Sequence, residues 1–461
     1  MKELLFEKNT ISFSVKNMPI FKRKAFAWAT HFDIVSYLDN NQYYNEKYAG
    51  FENLLAVGAE DQILTSPKVK TEGKAFSPAG GGRGVDSTQK ENSSFELLKN
   101  FHNEKKDWLF GFLTYDLKNE TEDLTSNNFD GIELPNLHFF QPKIVIEFLK
   151  NKIHIHSKEE SAVSIFEKIN QTPSLDKKVF SNKKIQKGDI KNRISKKEYL
   201  ETLSKVKTHI SKGDIYEMNF CQEFYIEDID LDPYILFEKF NTVGKAPFAA
   251  FYKHKNKYLL CASPERFFKK EGQKLITQPI KGTIKRGTTP QEDEQLQQQL
   301  YNSPKDRSEN VMIVDLVRND LARSCKPGSV KVEELFGIYP FEQVHQMIST
   351  VVGELKEEVH FVDAIKNAYP MGSMTGAPKI RAMQLIEEFE KTKRGLYSGA
   401  VGYIKPNGDF DFNVVIRSMI YNKDKKYLSY QTGGAIVFDS SPEGEYEECL
   451  LKAKGMMETF F

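Results

Sequence analysis

IYEMNFCQEFYI, at positions 215–226, has the two-residue period of a β-strand. Alternate side chains of a strand point to opposite faces, and one face here carries Tyr216, Met218, Phe220, Gln222 and Phe224. The preceding residues have helical spacing. That helix begins at a capping box formed by Ser195 and Glu198 and stops at Gly213. The sequence therefore predicts a helix followed directly by a strand.

Further strands are predicted on both sides of this one. They lie at 144–156, 248–251, 258–262, 275–280, 401–404, 412–421 and 427–431. Helices separate only some of these strands, whereas a doubly wound parallel sheet needs a helical crossover between each pair. We therefore predict a mixed or antiparallel sheet architecture.

The charge balance excludes one class of function. The chain has 65 Lys and Arg against 64 Asp and Glu, a formal charge of +1 over 461 residues. A protein that binds nucleic acid by electrostatics alone normally has a basic excess. With 39% hydrophobic residues, including 34 Phe, the chain can bury a large core. Global disorder is therefore excluded as well.

The cysteines and the N-terminus indicate a cytoplasmic protein. Cys221, Cys261, Cys325 and Cys449 lie far apart and form no Cys-x-x-Cys pair, so we expect reduced thiols. No apolar run approaches the ~20 residues that cross a bilayer. Scattered charges in residues 1–26 are not typical of a secretory signal.

Composition divides the chain into three parts. We predict an N-terminal region at 1–156, a lysine-rich polar connection at 157–194 and a catalytic region at 195–461. The N-terminal region contains SPAGGGRGVD at 77–86, whose glycines could hold a phosphate. No strand leads into this run and no Gly-Lys-Ser/Thr follows it, so a surface loop is favoured.

Two predicted helices each present acids on one face. Each begins at Ser-Pro, at 303–304 and 441–442, a pattern typical of a helix start. Asp306 and Glu309 share a face of the first helix, and Glu445, Glu448 and Lys452 share a stripe of the second. Two such pairs could supply the oxygens for a hard cation, most plausibly Mg²⁺. The alternative is that they are solvated acids on amphipathic helices.

Three segments end a predicted strand in a glycine turn, QPIKGT at 278–283, PMGSMTGAPK at 370–379 and QTGGA at 431–435. Glycine lets backbone N–H groups approach a ligand, and the helix after 378 directs its positive end toward the second turn. An anionic ligand is implied. The glycine spacing does not match the ATP- or GTP-binding loop, so small carboxylates remain.

Lys281 lies between Ile280 and Gly282, at the end of an apolar strand. Partial desolvation and a nearby cation would lower its pKa and leave a neutral amine able to act as a nucleophile. The alternative is a surface lysine beside Lys285 and Arg286.

Together these motifs resemble the chorismate-utilising enzymes. The resemblance rests on SPERF at 263–267, PIKGT at 279–283, ENVMIVDL at 309–316, RND at 318–320, TGAPK at 375–379, IR at 416–417, GG at 433–434 and EYEE at 445–448. A weaker match is WLFGFLTYD at 108–116. The resemblance implies an α+β fold like that of anthranilate synthase component I, with mixed or antiparallel sheets forming a sandwich-like core and helices outside.

Lysine in the PIKGT motif, where other members carry Ala, is typical of the branch that aminates chorismate at C4. In that branch Lys281 would attack C2 and expel the C4 hydroxyl, with Glu265 as the acid. Ammonia from a glutamine amidotransferase partner would then displace the lysine. The product would be 4-amino-4-deoxychorismate, a precursor of 4-aminobenzoate and folate.

The resemblance also implies roles for other residues. Glu309 and Glu448 would hold Mg²⁺ against the ring carboxylate, with Asp306 and Glu445 in support. The residues expected to bind the substrate's carboxylates are Arg417, Tyr403, Gly433, Gly434 and Lys452. The residues expected around the ring are Gly282, Thr283 and Thr375.

Two positions depart from the family pattern. Glu217 stands where aminating members commonly have Gln and water-adding members have Lys, which argues against isochorismate or salicylate chemistry. Gln346, preceded by His345, stands where anthranilate-forming members have His, which argues against pyruvate elimination. His345 could also be purely structural. Anthranilate formation and a non-catalytic chorismate-binding subunit remain as alternatives.

Overall fold

The computed structural model describes residues 10–43, 47–66, 93–173 and 185–460. The glycine-rich run at 77–86 lies outside these residues. The helices are α1 Met18–Ala29, α2 Ser94–Lys105, α3 Lys118–Thr121, α4 Ala162–Gln171, α5 Lys196–Ser211, α6 Pro233–Gly244, α7 Pro290–Tyr301, α8 Pro304–Ala322, α9 Phe361–Ala368, α10 Lys379–Phe389 and α11 Pro442–Glu458.

Twenty strands are formed by the described residues. They are β1 Thr10–Ser14, β2 Ile34–Asp39, β3 Asn53–Thr65, β4 Leu109–Leu113, β5 Leu137–Phe148, β6 Lys152–Ser157, β7 Lys191–Asn192, β8 Glu217–Ile226, β9 Phe248–His254, β10 Lys257–Ser263, β11 Arg266–Glu271, β12 Lys274–Gln278, β13 Ile280–Lys285, β14 Lys331–Pro340, β15 Val344–Glu354, β16 Gly376–Ala377, β17 Ala400–Ile404, β18 Phe410–Asn413, β19 Ser418–Asn422 and β20 Tyr427–Ile436.

The strand pairings form two series of antiparallel strands, here called arms, which meet at the paired strands β3 and β5. The first arm runs β1–β6–β5–β3–β2–β9–β10–β19–β20–β8, with β7 and β16 also on β8. The second arm runs β5–β4–β17–β18–β11–β12–β15, and β13 and β14 also pair with β15. A register shift between Ala59 and Asp61 lets β3 serve both arms.

Two apolar clusters show how these arms pack. On β9, Phe251 enters the first cluster, whereas its neighbours Ala250 and Tyr252 enter the second. The first cluster also contains side chains of α1, α4, α5, α6, α10 and α11, so these helices cover the outer face of the first arm. The second cluster joins side chains of both arms, which therefore pack face to face. The predicted α+β fold, a sandwich-like core with helices outside, is confirmed.

Local signals located the helix starts well. The capping box of Ser195 and Glu198 is formed at the start of α5, and Ser303 and Ser441 cap α8 and α11.

Three predicted strands are broken in the structure. Residues 149–151 divide 144–156 into the hairpin β5–β6, Pro279 separates β12 from β13, and residues 414–417 separate β18 from β19.

The predicted connection at 157–194 contains helix α4 and strand β7. Strands from the predicted N-terminal and catalytic regions pair with each other, as in β2–β9 and β4–β17. The division of the chain at these boundaries remains a prediction. No helix in the described parts of the chain combines the length and apolar character that crossing a membrane requires. The four cysteines are buried and form no disulfide.

Candidate active site

Hydrogen bonds join the turn at 371–377 to the beginning of β8, where Glu217 lies. Strand β16 pairs with β8 there, so that Glu217 stands opposite Ala377. The backbone N–H of Asn219 donates to the carbonyl oxygen of Thr375 (2.8 Å), and its side-chain amide donates to that of Ser373 (3.0 Å). Asn219 was not predicted as a site residue, although it lies two residues after Glu217 and therefore on the same face of β8.

Lys281 and Glu217 form a buried ion pair at this edge. The Nζ of Lys281 lies 2.7 Å from Oε1 of Glu217, and the two side chains are 11% and 0% exposed. Oε2 of Glu217 is buried and has no hydrogen-bond partner among the described residues. Burial lowers the pKa of Lys281, but the charges of Glu217, Glu309 and Glu265 outweigh this and raise it overall. The lowered pKa expected from the sequence is thus reversed by the surrounding carboxylates.

The backbone at Lys281 is held tightly against α8. Gly282 has φ +97°, and a Cβ at this position would lie 3.1 Å from Oδ1 of Asp306. The amide of Asn310 donates to the carbonyl oxygen of Lys281 (3.3 Å), while Ser349 donates to the side-chain oxygen of Asn310 (2.6 Å). Glycine is needed at 282 because a side chain would be strained and crowded. Asn310 belongs to the ENVMIVDL motif but was not predicted as a site residue.

Glu265 has the properties of a proton donor. It is buried between β10 and β11, and its backbone N–H donates to Oγ of Ser263 (3.2 Å). Burial raises its pKa to about 7, although a hydrogen bond from Ser373 and the charge of Lys281 oppose the rise. A carboxyl group with this pKa is partly protonated near neutral pH, as general acid catalysis requires.

Three side chains of α11 converge on the β20 glycines. A Cβ at Gly434 would lie 3.0 Å from Oε2 of Glu445, 3.6 Å from Oε1 of Glu448 and 3.8 Å from Nζ of Lys452. Lys452 donates to the carbonyl oxygen of Gly433 (2.9 Å) and pairs with Glu448 (2.7 Å). The structure therefore brings together the residues that the sequence placed on one stripe and in the Gly-Gly turn.

The acids of α8 and α11 belong to one electrostatic cluster. Burial raises the pKa of Glu309, and the charge of Lys305 opposes this rise. Burial likewise raises the pKa of Glu445, which the negative charge of Glu448 increases further. Glu448 has a lowered pKa because Lys452 and Lys305 outweigh its burial.

The donor set suits a hard cation with an incomplete protein shell. Carboxylate oxygens are the ligands that Mg²⁺ prefers, and the ion commonly takes only one or two of them and keeps several waters. Within residues 10–43, 47–66, 93–173 and 185–460, no three His, Cys, Asp or Glu side chains are grouped as metal ligands. Glu309 on α8 and Glu448 on α11 carry such carboxylates, and a Mg²⁺ site formed by them stays a prediction.

Arg417 is a cation without a carboxylate partner in the described part of the chain. It occupies the break between β18 and β19 with φ +46°, and its carbonyl oxygen accepts from Ala262 (3.0 Å), close to Ser263 and Glu265 in sequence. Solvent reaches the side chain, but surrounding protein partly desolvates it and lowers its pKa. An unpaired guanidinium in this setting suits a carboxylate ligand.

Other predicted positions have structural surroundings. Tyr403 is 2% exposed and its ring packs against Phe51, Trp108 and Phe110, while its contact with the substrate stays a prediction. Thr375 is buried and donates to the carbonyl oxygen of Gly372 (3.2 Å), which stabilises the turn.

Thr283 is exposed and stands opposite Gln346 in the β13–β15 pairing. The side-chain oxygen of Gln346 is buried without a partner among the described residues. His345 is buried and its Nε2 lies 2.8 Å from Oδ1 of Asp293 in α7. This contact favours the structural interpretation of His345.

The antiparallel sandwich carries a buried acid, a buried amine and, among the described residues, a guanidinium without a carboxylate partner, a set of groups that suits an enzyme acting on a small anionic substrate. The chain belongs to the chorismate binding enzyme family, whose model matches residues 40–458.

Similarity to individual proteins is consistent with this family. A relative named aminodeoxychorismate synthase component 1, from Salmonella typhimurium, is 42% identical over 260 residues, which cover 56% of this chain and 57% of that protein. A protein of the same name from Klebsiella aerogenes is 34% identical over 75% of this chain and 76% of its own length. Anthranilate synthase component I from Streptococcus pneumoniae is a structural match with a TM-score of 0.68 and 26% identity, covering 87% of this chain and 91% of that one.

Proposed function

We propose that the chain converts chorismate and ammonia into 4-amino-4-deoxychorismate. The observation that carries this proposal is Lys281, a buried amine held between the acids Glu217 and Glu265. Its charge acts on Glu265, the proposed acid, and the Salmonella typhimurium relative carries the name of this activity. The compartment proposed is the cytoplasm, in keeping with four unpaired cysteines.

The reaction takes two displacements. The neutral amine of Lys281 forms a bond to C2, the two conjugated ring double bonds shift to C1–C6 and C4–C5, and the C4–O bond breaks. Glu265 gives its proton to the departing oxygen, which leaves as water. Ammonia then bonds to C4, both double bonds shift back, and the C2–N bond breaks to return the amine of Lys281. The ammonium group formed at C4 gives one proton to Glu265, which restores the acid. Covalent catalysis of this kind divides one difficult displacement into two easier ones.

The substrate's carboxylates determine the other roles. Arg417 and Lys452 supply positive charge, and the backbone of Gly433 and Gly434 allows close approach. Thr283 and Gly282 lie next to Lys281 on β13 and are proposed to contact the ring region. Thr375 is proposed to act through the turn that it holds.

Mg²⁺ is the proposed cofactor. Glu309 and Glu448 would hold it, and Asp306 and Glu445 would support it from the same two helices. When bound, the ion neutralises charge on the ring carboxylate of chorismate.

A glutamine amidotransferase is the proposed partner, since the relatives are named as component 1 of a synthase. The purified chain should also accept free ammonia. The test is incubation with chorismate, Mg²⁺ and an ammonium salt, followed by a separate aminodeoxychorismate lyase. 4-Aminobenzoate is the expected product, and anthranilate in its place would overturn the proposal.

Anthranilate formation is the second candidate, favoured by the structural match to anthranilate synthase component I. Lys281→Ala separates the two, with Lys285→Ala, an exposed lysine on the same strand, as the matched control. Loss of turnover in Lys281→Ala alone supports the covalent route. Full activity in both variants would indicate direct amination.

A further inference from the structure

Glu217 is a buried carboxylate whose side chain, among the described residues, pairs only with Lys281. It is the first residue of β8, and a Cβ at Gly376 would overlap its carbonyl oxygen, so the backbone position is tightly set. Oε1 lies 2.7 Å from Nζ of Lys281, and Oε2 has no partner in the described structure. Burying an ion pair costs more free energy than a well-packed apolar pair of the same shape. A buried pair in a cleft is therefore a candidate for a functional role.

Two other acids near Lys281 accept no hydrogen bond from its amine in the described structure. Glu265, between β10 and β11, and Glu309, on α8, act on its amine through charge. Of the described residues, Glu217 alone accepts a hydrogen bond from that amine. A protonated lysine has no lone pair and must lose a proton before it can attack carbon. The hydrogen bond to Oε1 provides the shortest route for that proton.

We propose that Glu217 is a positioning residue that orients Lys281 and accepts its proton as the amine attacks. The inference rests on the proposed function, because it assigns the base for the first displacement. The N–H bond of Lys281 breaks, the proton moves to Oε1 of Glu217, and the freed electron pair forms the bond to C2. After ammonia displaces the lysine, the neutral amine takes the proton back. No further reactant is needed.

Aminating members of the family commonly carry Gln at this position, so the proposed proton transfer is particular to this chain, and Gln cannot perform it. Its amide oxygen can accept a hydrogen bond, but it carries no negative charge and does not take up a proton near neutral pH. The substitution Glu217→Gln keeps the size of the side chain and removes both properties. Glu227→Gln is the matched control, since Glu227 lies just beyond β8 and pairs with Lys191 on the surface.

The first experiment measures the ion pair without any enzymatic assay. The intact chain is treated with cyanate across a pH series, and carbamylation of Lys281 is followed by peptide mass spectrometry. Only the neutral amine reacts, so loss of the carboxylate should raise the rate for Lys281 in Glu217→Gln about tenfold for each unit by which the pKa falls. The expected change near neutral pH is at least about tenfold. An unchanged rate would overturn the pairing, and Glu227→Gln should match the wild type.

The second experiment measures turnover. Glu217→Gln should lower kcat by about a hundredfold or more, the usual contribution of a positioned base, while KM for chorismate changes little. Glu217→Asp, which keeps a carboxylate, should restore part of kcat. Wild-type kcat in Glu217→Gln would refute the role. If the wild-type chain makes no 4-amino-4-deoxychorismate, the proposed function fails, but the cyanate result still decides whether Glu217 holds Lys281.

Discussion

Replacing Glu265 by Gln tests whether this residue is the proton donor. Its carboxyl group is buried, and desolvation raises its pKa to about 7 against the opposing effects of Ser373 and Lys281. Glutamine has nearly the same shape but cannot release a proton. Because the C4 hydroxyl leaves as water in the proposed reaction, the variant should bind chorismate and fail to turn it over.

The size of the effect follows from the pKa of Glu265. A carboxyl group with a pKa of about 7 is about 90% protonated at pH 6 and about 10% protonated at pH 8. Under saturating chorismate, kcat of the wild type should therefore fall about tenfold over this interval. Loss of a general acid typically costs about 10²- to 10⁴-fold. Glu265→Gln should show this loss and should lack the alkaline decline.

The same burial affects stability with a defined sign. The folded-state pKa of about 7 lies above the ordinary value of 4.5, so the folded protein holds this proton more tightly than the unfolded chain. The favourable contribution is complete below about pH 4.5 and is lost as the pH rises through 7. The two pKa values differ by the equivalent of about 3 kcal/mol. Glu265→Gln should therefore gain up to about 3 kcal/mol over the wild type at pH 8 and little at pH 5.

The kcat and the free energy of unfolding can both be measured on one set of variants. Initial rates with the coupled lyase give kcat from pH 6 to pH 8, and urea unfolding gives the free energy of unfolding at about pH 5 and pH 8. Glu271→Gln, at the exposed end of β11, is the control and should match the wild type in both. Wild-type kcat with an intact alkaline decline in Glu265→Gln would refute the acid role. An equal stability difference at both pH values would show that Glu265 is not held neutral by burial.

Three further predictions concern the metal, the substrate and the backbone. Glu309→Gln and Glu448→Gln should each weaken Mg²⁺ binding about tenfold or more in calorimetric titration, and unchanged affinity in both would remove the ion from this site. Arg417→Gln should raise KM for chorismate about tenfold or more, while an unchanged KM would exclude a carboxylate contact. Gly282→Ala should destabilise the protein by about 1–3 kcal/mol in urea unfolding, because φ is +97° and α8 is close; wild-type stability would contradict this strain.

The fold was predictable wherever the signal is local. The capped starts of α5, α8 and α11 and the period of β8 are properties of adjacent residues, and the structure confirms them. The strand breaks at Pro279 and before Ser418 were missed, since apolar residues continue on both sides of each break. Their positions depend on how β13 meets α8 and how Arg417 turns into β19, which are tertiary contacts. Periodicity within one segment carries no information about them.

The site was predictable as a set of motifs but not as a set of contacts. Glu217 and Lys281 are 64 residues apart, and their pairing depends on the registers of two different strands. Tyr403 illustrates the same limit. The resemblance to the family implied a substrate contact for it, but only the structure shows that β4 pairs with β17 and that aromatic side chains surround the ring. A motif specifies which residues are present, whereas the neighbouring strand decides which face is accessible.

The environments of Glu265 and Glu448 explain how one site can use one carboxyl group as a proton donor and another as a metal ligand. Glu448 lies 2.7 Å from Lys452, and the nearby positive charges keep its pKa low despite burial, so it remains an anion. Glu265 has no cation within ion-pair distance in the described residues, and burial therefore dominates. Pairs of acids whose surroundings drive their pKa values apart are suited to different roles. A permanent anion can hold a cation, whereas a neutral acid can donate a proton to a leaving hydroxyl group. The ion pair with Lys452 therefore distinguishes Glu448, the proposed metal ligand, from Glu265, the proposed acid.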